Sequence, residues 1–430
     1  MSTSATAPAA DAPARLPLIV QALLPFAFGY FLSYLFRAVN AVVAPDLVSE
    51  LGLSATELGL MTSAYLAAFA LFQLPLGILL DRYGARRVQA ALIFVAALGA
   101  GLFAIGDNAL TLTIARALIG LGFAGGLMAG FKAVVVWVPA PRRALANAFV
   151  MSAGAVGLIV ATAPTEWAVA EFGWRNVIFF FAVLSVVSAA LVLLVVPERR
   201  ATAAAPASLG RQLVELGHIM CDRVFLAIVP LLALTAGTQI AIQTLWAGPW
   251  LGDVAGLSRD GVANMLALSA IAFLVGVLAS GTIADQLQQR GVSLLTTMIG
   301  FLLFFFAAQI AIVLEVTAYN EIIWFIFGMS GQVAVLAYPW LSQHFGAERA
   351  GRSNAAINAV MFACAFAVQY LIGVIIDLFP KETNQVGYSP EAYQTAFALF
   401  LGLQTLALVW FFMNRRRLID AELAFNRTAT

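Results

Sequence analysis

The sequence has few charged residues and almost no cysteine or histidine. Only 10% of its 430 residues are charged and its net charge is +1, so it lacks the basic surface with which proteins bind nucleic acids. Its two cysteines cannot build the disulfide framework of a small secreted domain. The sequence has no glycine-rich phosphate loop, nucleophile elbow or zinc signature either. We therefore expect no enzyme, no nucleic-acid partner and no cofactor.

Apolar residues dominate instead. They make up 62% of the chain, against roughly 45–50% in soluble domains. A hydrocarbon core of about 30 Å needs roughly 20 apolar residues per helix, and twelve runs reach that length. Numbered helix one to helix twelve, they lie near residues 17–43, 55–80, 88–106, 109–138, 142–170, 174–196, 224–251, 260–284, 292–315, 320–345, 352–379 and 391–414. The sequence therefore predicts an all-α membrane protein with twelve transmembrane helices.

The polar connections divide the chain into two halves of six helices. Within the longest connection, residues on one helical stripe are apolar, namely Leu209, Leu213, Leu216 and Met220. This stripe predicts a helix along the cytoplasmic face, although an ordinary tether is equally compatible with it. The expected domains are a disordered tail at 1–16, an N-terminal bundle at 17–196, an inter-bundle loop at 197–223, a C-terminal bundle at 224–414 and a tail at 415–430.

The distribution of lysine and arginine predicts the orientation. Connections on one side carry most of the arginines, including the pairs at 86–87, 142–143 and 199–200, whereas the other side carries Arg175, Arg259 and Lys381. Basic residues accumulate on the cytoplasmic side. We therefore expect a multi-pass protein of the cytoplasmic (inner) membrane with both termini in the cytoplasm. The first residues do not have the pattern of a signal peptide, so helix one is expected to be retained.

A short segment recurs at equivalent places in the two halves. Gly77-Ile-Leu-Leu-Asp81 ends helix two, and Gly281-Thr-Ile-Ala-Asp285 ends helix eight. Duplicated halves around a central site are typical of secondary transporters. The repeat therefore predicts two related bundles with a site between them.

The first copy continues as Arg82-Tyr-Gly84-Ala-Arg86-Arg87, and the whole segment resembles the motif between helices two and three of the major facilitator superfamily. The resemblance implies two pseudo-symmetric bundles that work by alternating access. In that superfamily the cluster clamps the halves together on the cytoplasmic side, with its aspartate facing the start of helix eleven, here Arg349 and Arg352. Arg116 and Gly120 resemble the motif of helix four. The implied clamp comprises Gly77, Asp81, Arg82, Gly84, Arg86, Arg87 and Arg116.

Two basic residues inside helices are candidates for binding an anionic solute, because charge is costly in a membrane. Arg37 shares a helical face with Tyr30 and Tyr34, and with Pro45 this pattern resembles helix one of organic-anion carriers, in which the arginine binds a carboxylate or phosphate. A guanidinium suits that role because its donors pair with two oxygens. Lys132 lies near a position where such carriers often have a basic residue. For both cations the alternative is snorkelling to the membrane interface.

Glu166 in helix five is the acid farthest from the loops and a candidate for carrying a coupling proton. It also lies beside Trp167 near the outer end of the helix, where an interfacial acid is ordinary. Some proton-coupled anion symporters have an aspartate just before the arginine of helix one, whereas this chain has Phe36. That difference disfavours proton coupling.

Uncharged polar side chains supply the candidates of the second half. Gln239, Gln243 and Trp246 recur along helix seven, where they can either orient a solute or hold helices together. The same two interpretations apply to Gln332 and Tyr338 in helix ten and to Asn354, Asn358 and Gln369 in helix eleven.

The sequence therefore predicts a transporter of a small organic anion, driven by a proton gradient. Because helix seven has no second arginine, a monocarboxylate or a larger aromatic acid fits better than a phosphate. The alternative is efflux of hydrophobic compounds by proton antiport, which the lack of a Gly-Pro dipeptide in helix five disfavours. A minor alternative is import of a vitamin or of copper, the latter suggested by His218, Met220 and Cys221. The expected partners are the solute, the coupling ion and the lipid bilayer, and the chain is expected to be a monomer.

Overall fold

Each of the twelve predicted segments is helical. The computed structural model describes residues 16–197, 209–331, 333–346, 349–380 and 387–429, so most of the expected amino-terminal tail, Gln332 and Lys381 lie outside the described residues. Helices one to six are Leu16–Ala38 with Asn40–Leu51, Ala55–Tyr83, Ala85–Ile105, Ala109–Phe123 with Gly126–Trp137, Arg143–Val160 with Ala163–Phe172, and Trp174–Val195. Helices seven to twelve are Arg223–Ala241 with Ile242–Trp246 and Ala247–Asp253, Arg259–Gln289, Leu294–Val313, Asn320–Ser330 with Val333–Phe345, Ala350–Asp377, and Pro390–Met413.

The lengths of these helices agree with a membrane protein. Ten of the described helices are long and apolar enough to cross a membrane, and the two parts of helix five, bent by 45°, form an eleventh span. Helix ten is helical on both sides of residue 332. The prediction of an all-α fold with twelve transmembrane helices is therefore confirmed.

Local sequence sets where several helices start and bend. Ser54 and Glu57 form a capping box at the start of helix two, which satisfies two backbone donors that the helix leaves free. Helix five breaks at Ala161 and Thr162, just ahead of Pro164, because proline cannot donate the backbone hydrogen bond that a continuous helix needs. Helix seven contains a π-helical turn at Ile242–Trp246, a distortion frequent at functional sites.

Two further helices lie outside the spans. Leu209–Met220, called the surface helix, forms where the apolar stripe predicts it and packs against helix eleven. Arg415–Ala429, the carboxyl-terminal helix, packs against helices seven and ten. We call the end of the bundle that carries the surface helix and the turn at Gly84 the arginine-rich face, and the other end the opposite face.

Glycines let the helices of each half approach closely. A Cβ atom on Gly120 of helix four would lie 2.1 Å from the carbonyl oxygen of Tyr65 in helix two, and one on Gly157 of helix five would lie 2.1 Å from that of Phe31 in helix one. Gly276 makes the equivalent approach to Met329 in the second half. Small residues are needed there because, in lipid, helices associate through close packing and not through the hydrophobic effect.

Gly120→Ala is expected to destabilise the protein, because the new methyl group must push helix two away from helix four. Overpacking of this kind costs about 1–3 kcal/mol. The matched control is Gly101→Ala, because a Cβ there would meet no described atom within 4 Å. Thermal unfolding of the purified protein should show a lower midpoint for Gly120→Ala than for Gly101→Ala, and equal midpoints would contradict the close approach.

Candidate solute-binding site

Arg37 is buried where the two halves meet. Its side chain is 7% exposed, and its guanidinium carbon lies 4.4 Å from the ring centroid of Tyr34, 5.3 Å from that of Phe69 and 5.0 Å from that of Phe362. These rings come from helices one, two and eleven, so both halves contribute. Such burial is incompatible with snorkelling to the membrane interface.

The guanidinium of Arg37 has no carboxylate partner within the described ranges. Its Nε atom is buried without a hydrogen-bond partner among the described residues, and none of the ion pairs formed there includes it. The Tyr65 hydroxyl interacts with Arg37 and donates to the carbonyl oxygen of Ser33 at 3.1 Å. Burying a charge without a counter-charge is costly. The site is therefore favourable for an anion.

Tyr30 and Tyr34 lie on the same side of helix one as Arg37. Their rings are in edge contact with centroids 5.1 Å apart, and Tyr34 also lies 6.0 Å from the ring of Phe273 in helix eight. Gly154 of helix five makes room for this pair, since a Cβ there would lie 2.7 Å from the Tyr30 ring. The structure thus brings all three candidates of helix one to the interior, as their spacing predicts.

The second half contributes a linked pair of polar residues. The Tyr338 hydroxyl of helix ten donates to the Asn358 Oδ1 of helix eleven and lies 3.9 Å from the sulfur of Met361. Tyr338 also interacts electrostatically with Tyr34 and Arg37. These contacts place helices ten and eleven at the same site as helix one.

The three candidates of helix seven do not share one environment. Gln239 donates to Gln243 at 3.4 Å, and the Nε2 of Gln243 is buried without a partner among the described residues. Both belong to a stretch whose π-helical turn packs against the two parts of helix one. Trp246 is instead fully buried, and its Nε1 donates to the carbonyl oxygen of Gln369 at 3.0 Å. The indole fills the junction of the two halves and does not line an open surface.

Lys132 lies with the clamp residues and not with Arg37. Its Nζ donates to the carboxylate of Asp81 and to the carbonyl oxygen of Leu80, both at 2.7 Å. A lysine that is already paired is a poor ligand for a solute. The expectation that Lys132 binds the solute is therefore not met by this arrangement.

The clamp motif is folded at the arginine-rich face, but Asp81 does not bridge the halves through any contact with the described residues. Gly84 has a φ of +80°, which favours glycine, and ends helix two. Arg86 donates to the carbonyl oxygen of Leu193 at the end of helix six, and Arg352 of helix eleven pairs with Glu215 of the surface helix. Of the other motif residues, Arg82 and Arg87 are exposed, and a Cβ atom on Gly77 would have no described atom within 4 Å.

Arg116 lies inside the first half, away from the clamp. It is 1% exposed, its Nη1 donates to the carbonyl oxygen of Phe36 at 2.6 Å, and its guanidinium lies over the ring of Tyr65. In this structure Arg116 therefore lies apart from the other residues of the expected clamp. It donates to the backbone of helix one at Phe36, the residue before Arg37, and so holds helices one and four together.

Glu166 lies at the opposite face, in an ion-pair network between the halves. Arg259 at the start of helix eight donates from Nε to Glu166 and from Nη1 to Asp46 of helix one, the latter at 3.0 Å. Glu166 is 4% exposed. Its environment therefore contains a cation from the other half, which its position in the sequence did not reveal.

A second contact closes the same face. The carboxylate of Asp377, at the end of helix eleven, accepts the backbone N–H groups of Ala55 and Thr56 at 3.0 and 2.7 Å. The first N–H groups of a helix have no partner within the helix itself, and the helix dipole favours an anion at this end. Together with the Arg259 network, this contact closes the opposite face.

Comparison with known proteins agrees with this architecture. A family model described as Major Facilitator Superfamily matches residues 26–369. The chain belongs to this superfamily.

Several relatives of the chain are named as transporters of organic acids. It is 25% identical over 281 residues to a probable sulfoacetate transporter of Cupriavidus necator, covering 61% of this chain and 64% of that protein. It is 29% identical over 173 residues to a probable galactarate/D-glucarate transporter of Bacillus subtilis, covering 39% and 38%. A hexuronate transporter of the same organism is 26% identical over 285 residues, with 64% and 66% covered. The chain therefore spans less than two thirds of each of these relatives.

Solved structures of superfamily members share the fold. A bacterial homologue of the human lysosomal transporter Spinster, in an inward-facing and occupied conformation, has a TM-score of 0.71 at 16% identity and covers 93% of this chain and 97% of its own. A D-xylose-proton symporter has a TM-score of 0.68 at 14% identity and covers 92% and 98%. These similarities establish the architecture alone.

The aromatic neighbours of Arg37 are the site residues that the sequence did not reveal. In a chain of the Major Facilitator Superfamily, helices one, two and eleven meet only in the folded bundle, so no sequence spacing links Arg37 to Phe362. The one local signal is the spacing of Tyr65 and Phe69, which lie one turn apart on helix two.

Proposed function

We propose that the chain is a secondary transporter that moves a small organic anion across the cytoplasmic membrane by alternating access. The observation that carries this proposal is the burial of Arg37 between the halves without a counter-charge among the described residues. The names of the relatives, transporters of sulfoacetate, glucarate and hexuronate, are consistent with an anionic solute. Efflux of hydrophobic compounds would need no buried cation.

The positive-inside rule supports an orientation with the arginine-rich face and both termini in the cytoplasm. In this orientation the contacts of Arg259 and Asp377 close the external side. Asp81, which the resemblance of its motif implies as a residue of the cytoplasmic clamp, pairs with Lys132 of its own half. Both features support an inward-facing conformation.

We further propose that protons drive the transport and that Glu166 accepts the coupling proton. Its buried carboxylate shares Arg259 with Asp46. Protonation of Glu166 removes one of the two anions that hold Arg259, which weakens the external contact between the halves. Acid on the external side would therefore favour opening towards that side.

Purified protein in liposomes is expected to take up organic anions saturably, and faster when the external medium is more acidic than the lumen. A sulfonate such as benzenesulfonate is a suitable probe because it stays ionised and does not cross the bilayer unaided. Glu166→Gln should keep binding but lose the acceleration by acid, whereas Glu171→Gln, at an exposed position of the same helix, should behave as the wild type. Absence of saturable uptake would contradict the transport proposal, and an unchanged acid response in Glu166→Gln would contradict the role of Glu166.

A further inference from the structure

We propose that the solute is a singly charged organic acid with an apolar, ring-sized body, and that hydroxyl-rich sugar acids are poor solutes. This inference rests on the proposed function and narrows it. It separates this chain from the galactarate, glucarate and hexuronate transporters that it resembles.

The first argument is the number of cations available to a solute. Arg116 donates to the backbone of Phe36 inside its own half, and Lys132 is paired with Asp81. Arg259 is held by two carboxylates at the opposite face. Of these four described cations, counting Arg37, only Arg37 has no such partner and can bind an anion between the halves. A dianion would bring a second charge into a region of low polarity without a partner, which is costly.

The second argument is the chemistry of the walls around Arg37. Phe69 and Phe362 come from opposite halves, and their ring centroids are 4.4 Å apart. The guanidinium carbon of Arg37 lies 5.3 Å from the centroid of Phe69 and 5.0 Å from that of Phe362. Aromatic rings in these positions can stack on an apolar or aromatic solute. They offer no hydrogen bonds to hydroxyl groups.

The third argument is the small number of uncommitted polar groups. The Tyr65 hydroxyl donates to Ser33, and the Tyr338 hydroxyl donates to Asn358. On helix seven, the amide nitrogen of Gln243 has no partner among the described residues. A sugar acid buries four or five hydroxyls, and each buried hydroxyl without a partner weakens binding. The commitment of the Tyr65 and Tyr338 hydroxyls therefore favours a largely apolar acid.

The rings also lie where a bound solute would touch both halves of the protein. Tyr34 and Phe273 touch across the halves, as do Phe69 and Phe362. A flat apolar solute lying on these rings would contact both halves at once. A hydrated sugar ring would need water between the same surfaces.

Two monocarboxylates of equal charge provide the test: phenylacetate and glucuronate. With purified wild-type protein, phenylacetate is expected to bind at least tenfold more tightly, measured by thermal shift and by competition with benzenesulfonate counterflow. Benzene-1,4-diacetate, which keeps the ring and adds a second charged carboxymethyl group, should bind at least tenfold more weakly than phenylacetate. Tight binding of the diacetate would overturn the argument from charge.

Variants of Phe362 connect this preference to the rings. Phe362→Ala is expected to weaken phenylacetate binding about tenfold, whereas Phe362→Tyr should keep it. The matched control is Phe366→Ala, one turn further along helix eleven, whose ring stacks on Tyr370. Tighter binding of glucuronate than of phenylacetate to the wild type would overturn this inference and leave the proposed function intact. If neither these acids nor benzenesulfonate binds, the proposed function itself fails.

Discussion

Arg37→Gln is expected to weaken binding of carboxylates at least 30-fold and to abolish their saturable uptake. Glutamine keeps a hydrogen-bond donor but removes the charge and the paired donors with which a guanidinium binds two oxygens. Truncating one partner of a buried, hydrogen-bonded ion pair costs roughly 2–5 kcal/mol. Arg116, Lys132 and Arg259 are already bonded to other groups, so none of them replaces Arg37.

The same substitution should not destabilise the protein without solute. Arg37 is buried with an unsatisfied Nε among the described residues, so its desolvation is a cost in the empty site that an uncharged residue avoids. We expect the unfolding midpoint of the empty variant to equal or exceed that of the wild type, while the stabilisation by solute is lost. This combination distinguishes a binding residue from a structural one, whose loss lowers the midpoint.

Two further variants control the experiment. Arg37→Lys keeps the charge but loses the planar fork, so its affinity should fall between those of the wild type and of Arg37→Gln. Arg82→Gln removes an exposed arginine that lies over Tyr83, and should bind solute normally. Uptake by Arg37→Gln at the rate of the wild type would show that the anion binds elsewhere.

The sequence predicted the parts of the fold that depend on local composition. Long apolar runs gave the twelve helices, because a membrane requires a continuous apolar segment with internally satisfied backbone groups. The surface helix followed from the spacing of its apolar residues. The break in helix four at Ala124 and Gly125 and the π-helical turn in helix seven were not predicted, since both depend on the packing of neighbouring helices.

The site was predicted only where its residues share one helix. Tyr30, Tyr34 and Arg37 face one direction because of helical periodicity. Lys132 was assigned to the solute and Arg116 to the clamp, yet the structure pairs the first with Asp81 and the second with the backbone beside Arg37. The partner of a buried cation lies on another helix, and the spacing along one helix carries no information about it.

Glu166 illustrates the same limit. Its position along helix five indicates an acid away from the loops, but a cation from the start of helix eight pairs with it. From its sequence position Arg259 is predicted to lie in a connection, next to the start of helix eight. Its contacts with Glu166 and Asp46 arise only when the two halves come together at the opposite face.

This geometry makes Arg259 the residue whose loss should most shift the conformational equilibrium. It joins the second half to two carboxylates of the first, while Asp377 joins helix eleven to the start of helix two. In Arg259→Gln the carboxylates of Glu166 and Asp46 face each other without their cation, and Glu166 remains 4% exposed. Coupling free energies between two sites of a protein are typically about 1–3 kcal/mol, or roughly 5- to 150-fold. We expect a shift of similar size towards opening of the opposite face.

Double electron–electron resonance can measure this shift. Spin labels at Asp107 of the first half and Thr317 of the second, both exposed, are introduced after Cys221 and Cys364 are replaced by serine. Arg259→Gln should add a longer distance between the labels. Arg175→Gln is the matched control, because the pair of Arg175 with Glu50 lies at the same face but within the first half, so its loss should leave the distances unchanged. If both variants give the distances of the wild type, the Arg259 network does not hold the halves together. The closed face would then depend on the contact of Asp377 with the start of helix two and on the packing of Trp246.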